Sequence, residues 1–134
     1  MKIKVYTDGA SRGNPGHAAA GAVAYEDGKE IFRLSKYLGV NTNNYAEYSA
    51  AILALRKLLD MGLQDRNIEL YADSKLLVEQ ASGRWKVKNE NIKKLFLELS
   101  KLCQEFQSVK FIHIPRSKNV LADKLANKAL DKNL

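Results

Sequence analysis

Asp8, Glu47, Asp73 and Asp123 are the side chains of this sequence best placed to do chemistry. Asp8 ends an alternating run, Lys2-Ile3-Lys4-Val5-Tyr6-Thr7, and precedes a glycine-rich segment. Asp73 ends a second strand-like run, Ile68 to Ala72. Taken singly, each also reads as a turn-initiating or helix-capping aspartate. Glu47 is harder to dismiss. At ~100° per residue it stacks with Ala50, Ala51, Ala54 and Leu58, with Arg56 on the opposite side of the helix. It lies on the apolar stripe that should face a core. A lone buried carboxylate is costly unless paired or metal-bound. The alternative is a first-turn glutamate favoured by the helix dipole. Asp123 shares a line with Ala126 and Leu130, away from Lys124, Lys128 and Lys132, and has the same alternative.

If the four converge, their repulsion must be offset. Two unit charges 4 Å apart cost roughly 4 kcal/mol at an effective dielectric of 20. Lysine or arginine could supply the compensation. An oxygen-only set suits a hard divalent ion, above all Mg²⁺, with Mn²⁺ as an alternative. Two such ions sharing carboxylates can stabilise the attacking and leaving oxygens of an in-line phosphoryl displacement.

The elements that must position these residues follow from periodicity. Residues 2–8 read as a strand with Ile3, Val5 and Thr7 on one face. Residues 9–16 are dense in turn formers and read as a loop. A small-residue strand over 17–26, the Asp27-Gly28 turn and a strand over 29–38 make a hairpin. The segment 41–44 opens a helix from Tyr45 to Met61, stopped at Gly62. A fourth strand covers 67–73, and Ser74 caps a short helix ending near Gly83. Asn89 or Asn91 starts another helix with Ile92, Leu95, Leu99, Leu102 and Phe106 at helical spacing. A fifth strand covers 109–114, and Asn119 caps a final helix from Val120 to Lys132. Helix crossovers make the later strands parallel. The expectation is one α/β domain over 1–134, with a five-stranded mixed sheet: first three strands antiparallel, then parallel, flanked by helices. Asp8 and Asp73 then lie at carboxyl ends of strands, where open α/β sheets build sites.

Composition narrows the classes. The chain is 46% hydrophobic and 28% charged, which permits a packed core. No apolar run reaches ~18 residues, so no membrane association is expected. The formal charge of +7 favours a polyanionic partner, though a lysine-rich solubilising surface explains it equally well. The single cysteine, Cys103, excludes an intrachain disulfide and reads as a small core residue. A reducing cytoplasm and a monomer are expected.

Four segments then stand out together: Tyr6-Thr7-Asp8-Gly9-Ala10 with Gly13-Asn14-Pro15-Gly16, Thr42-Asn43-Asn44-Tyr45-Ala46-Glu47, Tyr71-Ala72-Asp73-Ser74, and Asn119-Val120-Leu121-Ala122-Asp123. In this order they resemble type 1 ribonuclease H, over nearly the whole chain. The resemblance implies the ribonuclease H-like fold. It also implies an endoribonuclease that cuts the RNA strand of RNA–DNA hybrids with two metal ions, leaving 3′-hydroxyl and 5′-phosphate ends. By that resemblance Asp8, Glu47, Asp73 and Asp123 are the metal ligands, Asp8 and Asp73 central and Asp123 the most loosely held. Asn14, Thr42, Asn43, Asn44 and Asn119 fall near the bound hybrid, Gly9 and Ala10 approach RNA 2′-hydroxyls, and Ser74 and Lys75 make further substrate contacts. Double-stranded RNA is a second substrate to test.

Two departures from the family bear on mechanism. Many members carry a long Trp- and Lys-rich insertion, and here only Gly83 to Glu90 occupies its place. Trp85, Lys86 and Lys88, with Arg84, are candidates to grip the DNA strand instead; a core or loop anchor is the other reading of Trp85. Weaker, more salt-sensitive hybrid binding is expected. Many relatives also have a histidine in a mobile loop before the last carboxylate. Here His113 lies in the run of the fifth strand and Arg116 in the loop. Arg116 is the preferred residue for product departure, through phosphate contact, with His113 as the alternative; arginine cannot serve as a base. Other readings keep the fold and change the role: a DNA resolvase, exonuclease or integrase, a non-catalytic hybrid-binding module, or a nuclease part of a polymerase system. A start at Met1 and an end after a helix favour a standalone enzyme.

Overall fold

The computed structural model describes residues 2–133. Five strands, β1 (Lys2–Gly13), β2 (Gly16–Glu26), β3 (Lys29–Asn41), β4 (Asn67–Ala72) and β5 (Ser108–His113), form one sheet in the order β3-β2-β1-β4-β5. β1–β2 and β2–β3 are antiparallel, while β1–β4 and β4–β5 are parallel, as the connections require. The helices are α1 (Asn43–Asp60), α2 (Lys75–Ala81), α3 (Glu90–Gln104) and α4 (Val120–Lys132), with a 3₁₀ turn at Arg116–Lys118.

β1 alternates strictly. Ile3, Val5 and Thr7 are buried and point to one side, so Lys2, Lys4, Tyr6 and Asp8 point to the other. The first side packs on α1 and α3: Ile3, Val5, Ile68 and Leu70 meet Tyr48, Leu55, Leu58 and Leu99 in the main core. Each fully buried leucine contributes about 1.5–3 kcal/mol. The second side is covered by α4, where Ala19 packs with Ala129 and Leu130.

Glycine brings two helices onto bare strand backbone. A Cβ at Gly9 would meet the Ala46 carbonyl carbon and the Glu47 nitrogen at 2.3 Å. A Cβ at Gly21 would meet Ala122 O at 2.3 Å and Ala126 N at 2.5 Å. The sheet is thus gripped from both sides, next to Glu47 and next to Asp123.

The structure corrects several boundaries. The loop read over residues 9–16 shrinks to a turn at Asn14-Pro15: β1 runs to Gly13 and pairs with β2 down to Gly13↔Gly16. Gly9 and Ala10 are ladder partners, Gly9↔Ala20 and Ala10↔Ala19, and serve by thinness; Gly13, at φ 108, does turn the chain into Asn14-Pro15. β3 extends to Asn41, and Thr42 caps α1 by accepting from Tyr45 N at 3.1 Å. Asn89 caps α3, its Oδ1 accepting from Asn91 N at 2.9 Å and Ile92 N at 3.1 Å. α3 ends at Gln104, so Phe106 is buried from the following turn and not from the helix. Cys103 is half-buried against the core, and burial pushes its thiol up to about 11. Asn119 does not cap α4: its side chain makes no cap bond and instead donates from Nδ2 to Thr7 O at 2.8 Å.

Candidate active site

Asp8 leaves β1 on the α4 side and is 2% exposed. Asp73 follows the last residue of β4, the strand hydrogen-bonded to β1. Glu47 comes from α1, beyond its first turn, which carries no acidic residue; the dipole explanation for it therefore fails. Where α1 crosses Gly9, Glu47 Oε1 accepts from Gly9 N at 2.7 Å. One oxygen from each of Asp8, Glu47 and Asp73 lies within 4.8 Å of the others. Asp8 Oδ2 and Asp73 Oδ2 are buried without a hydrogen-bond partner. Asp123, in the first turn of α4, lines the same cleft outside this tight group, and its Oδ1 accepts from Asn127 Nδ2 at 3.2 Å.

The electrostatics follow from this crowding. Burial, then the charges of Glu47 and Asp73, then Asp123 through hydrogen bonding and charge, push the Asp8 carboxyl up to about 9. Burial likewise pushes Glu47 up to about 8, with Asp73 adding to the rise; the Gly9 amide, a hydrogen bond with Asp8 and the Arg116 charge pull it back. Without a cation the group retains protons it would ordinarily lose. Three oxygen-bearing carboxylates around orphaned buried oxygens fit a hard divalent ion such as Mg²⁺.

The cleft holds about 500 Å³ and also includes Gly9, Ala10, Ser11, Arg12, Asn43 and Arg116. Arg12 is tied to Asp131 at 2.5 Å. Arg116 lies in the cleft, whereas His113 ends β5 in register with Ala72 and does not line the cleft. Asn14, Thr42 and Asn44 line a second cavity of about 490 Å³, shared with Asn89 and Asn91 of the α3 N-terminus. Asn14 Oδ1 accepts from Asn43 N at 3.1 Å, joining the two spaces.

The remaining expected contacts lie elsewhere. Ser74 is spent capping α2, accepting from Leu77 N at 3.2 Å. Lys75 Nζ stands 5.9 Å from the centre of the Trp85 ring, which is 44% exposed, so Trp85 is not a core residue. Lys86 and Lys88 are exposed in the segment beside it. That segment is anchored by buried Gln80, which accepts from Tyr48 Oη at 2.6 Å and donates to Lys86 O at 3.2 Å. Asn119 is 1% exposed and does not line the acidic cleft; its amide nitrogen ties the loop to β1. Sequence reasoning missed Arg12, Ser11 and Asn127 as cleft residues. The i, i+4 spacing of Asp123 and Asn127 was the available signal for the last.

A mixed sheet of this order, with carboxylates gathered where β1, β4 and two helices meet, defines the ribonuclease H-like class. A family profile described as "Reverse transcriptase-like" matches residues 6–129. A bifunctional protein of Mycobacterium tuberculosis is 41% identical over 133 residues, covering 98% of this chain and 36% of that protein. This chain therefore spans about a third of the length of that relative. Ribonuclease HI of Halobacterium salinarum is 40% identical over 131 residues, covering 97% of this chain and 65% of that protein. The crystal structure of RNase H1 from the same organism superposes with a TM-score of 0.93, covering 98% of this chain and 99% of that one. LC11-RNase H1, solved in complex with an RNA/DNA hybrid, gives 0.94 at 42% identity, covering 98% of each chain. The chain belongs to the type 1 ribonuclease H family.

Proposed function

We propose that this chain is a metal-dependent endoribonuclease that hydrolyses the RNA strand of RNA–DNA hybrids, leaving 3′-hydroxyl and 5′-phosphate ends. The observation that carries the reading is the close group of Asp8, Glu47 and Asp73, in which one buried oxygen each of Asp8 and Asp73 has no partner. The hybrid bound by LC11-RNase H1 supports the choice of substrate.

Asp8 and Asp73 would hold Mg²⁺ centrally, Glu47 from α1 and Asp123 from α4. Two bound ions supply an activated water and charge stabilisation at the leaving 3′-oxygen. The residues of the chain do the rest. The Gly9 amide holds Glu47 in place. The thin backbone at Gly9 and Ala10 lets an RNA strand approach closely, where 2′-hydroxyls separate it from DNA. Arg116 faces the cleft as a phosphate contact for product departure. Asn14, Thr42 and Asn44 present neutral polar groups beside the cleft, and Trp85 with Lys75, Lys86 and Lys88 supplies a cationic, aromatic contact for the DNA strand. Contacts of this type read backbone shape, so sequence preference is low.

The test is cleavage of an end-labelled hybrid with Mg²⁺, Mn²⁺ or EDTA, against the same strand in RNA and DNA duplexes. Metal-dependent cutting of the hybrid, with 5′-phosphate products by mass spectrometry, is expected. An intact hybrid in both metals, or preferential cutting of DNA duplex, overturns the proposal.

A further inference from the structure

A third cavity, of about 510 Å³, opens on the α4 side of the sheet, separate from the acidic cleft. Its size is that of a small-molecule site. Tyr6 and Tyr25 supply aromatic surface and Lys2, Lys4 and Lys118 supply positive charge, with Asp27 as a lining carboxylate. The rings are ordered in advance: Tyr6 stacks on Tyr71 at 4.9 Å and meets Tyr25 edge-on at 6.0 Å. Lys2 is held by Glu69 at 3.2 Å, but among the described residues Lys4 and Lys118 form no ion pair.

Two polar features of the cavity wall also lack partners. Asn119 lines the cavity, is 1% exposed, and has a buried Oδ1 without a partner. The first turn of α4 forms another wall and has no side-chain cap, so its N–H groups lack the usual acceptor. The site therefore combines aromatic faces, an acceptor that calls for an N–H donor, and cationic groups that call for an anion. A flat heterocycle with amino groups and a phosphate satisfies all three.

We infer that this cavity is a nucleotide-binding site, with the base against Tyr6 and Tyr25 and the phosphate at Lys4 and Lys118. An acidic peptide would answer the lysines but leave the aromatic faces and the Asn119 carbonyl unused. The location gives the site a consequence. The Arg116–Lys118 turn separates the two spaces, with Lys118 lining this cavity and Arg116 the acidic cleft. An occupant braces the first turn of α4, which carries Asp123. The inference does not depend on the ribonuclease reading, because binding is measured without metal or cleavage.

The experiment titrates AMP, adenosine and inorganic phosphate separately into the ¹⁵N-labelled protein in EDTA and follows backbone amide shifts. AMP should move Lys4, Tyr6, Tyr25 and Lys118 saturably, with adenosine and phosphate each about tenfold weaker. Lys4→Ala and Tyr25→Leu should each weaken AMP about tenfold while the dispersed spectrum persists. Lys4→Ala should cut hybrid at the wild-type rate. Shifts confined to Asp8, Asn43 and their neighbours overturn the assignment. So does the absence of saturable shifts, or an Asp- and Phe-rich peptide that binds the cavity where AMP does not.

Discussion

Replacing Asp8 by asparagine should make the metal-free protein more stable, by an amount that depends on pH. In the fold the carboxyl is held protonated up to about 9, against 3.8 when free. A group whose pKa is raised on folding contributes stability that is complete below the unfolded value and lost as pH rises through the folded one. Each pH unit inside that window removes about 1.4 kcal/mol. From 3.8 to neutral pH the wild-type fold gives up about 4 kcal/mol on this account. Asparagine keeps the shape and does not titrate. The assay is urea unfolding in EDTA, near pH 4 and near pH 7.5. The two proteins should be nearly equal in acid, and the variant should lead by about 4–5 kcal/mol at the higher pH. The same variant should lose at least ~100-fold in Mg²⁺-dependent cleavage, since one lost ligand removes several kcal/mol of charge stabilisation. A stability gap that does not change with pH, or a variant less stable than wild type, would refute the clustered-carboxylate account.

Mg²⁺ should raise the unfolding temperature at pH 7.5, by an increment worth about 2.7 kcal/mol at one hundred times its Kd, and scanning calorimetry against Ca²⁺-free EDTA buffer measures it. Gly21→Ala should destabilise by about 1–3 kcal/mol and lower kcat, because the new methyl displaces α4 and with it Asp123; Gly28→Ala, with open space around its Cβ, should leave kcat unchanged. Arg116→Ala should slow turnover under steady-state conditions more than in a single turnover, whereas His113→Ala should leave both intact; the reverse ranking would move the product-departure role to His113.

The sequence made the order of elements, the strand directions and the four acidic positions readable, because Glu47 on an apolar stripe and Asp73 at a strand end are local patterns with a cost attached; Asp8, read as the end of its strand, lies within β1, which runs on to Gly13. What it hid was decided by long-range contact. Gly9 to Gly16 has the composition of a loop, yet its small residues pair with β2. Asn119 has the type and place of a cap, but Thr7 O, 112 positions away in the chain, takes its amide. Gly21 sits among alanines and looks like one more small residue, although a strand glycine often marks close backbone approach. Gln80 gives no hint in sequence of the link it makes between Tyr48 and Lys86.

Gly9 and Gly21 have a joint effect on how the molecule tolerates change. At both places main chain rests on main chain, so the width between the two helical walls is set by atoms that every amino acid shares. Rotamer hopping or methyl-sized drift in the interior leaves that calibre untouched. Glu47 beside Gly9 and Asp123 beside Gly21 are thus set like the jaws of a gauge, and a side chain added at either glycine shifts a jaw directly.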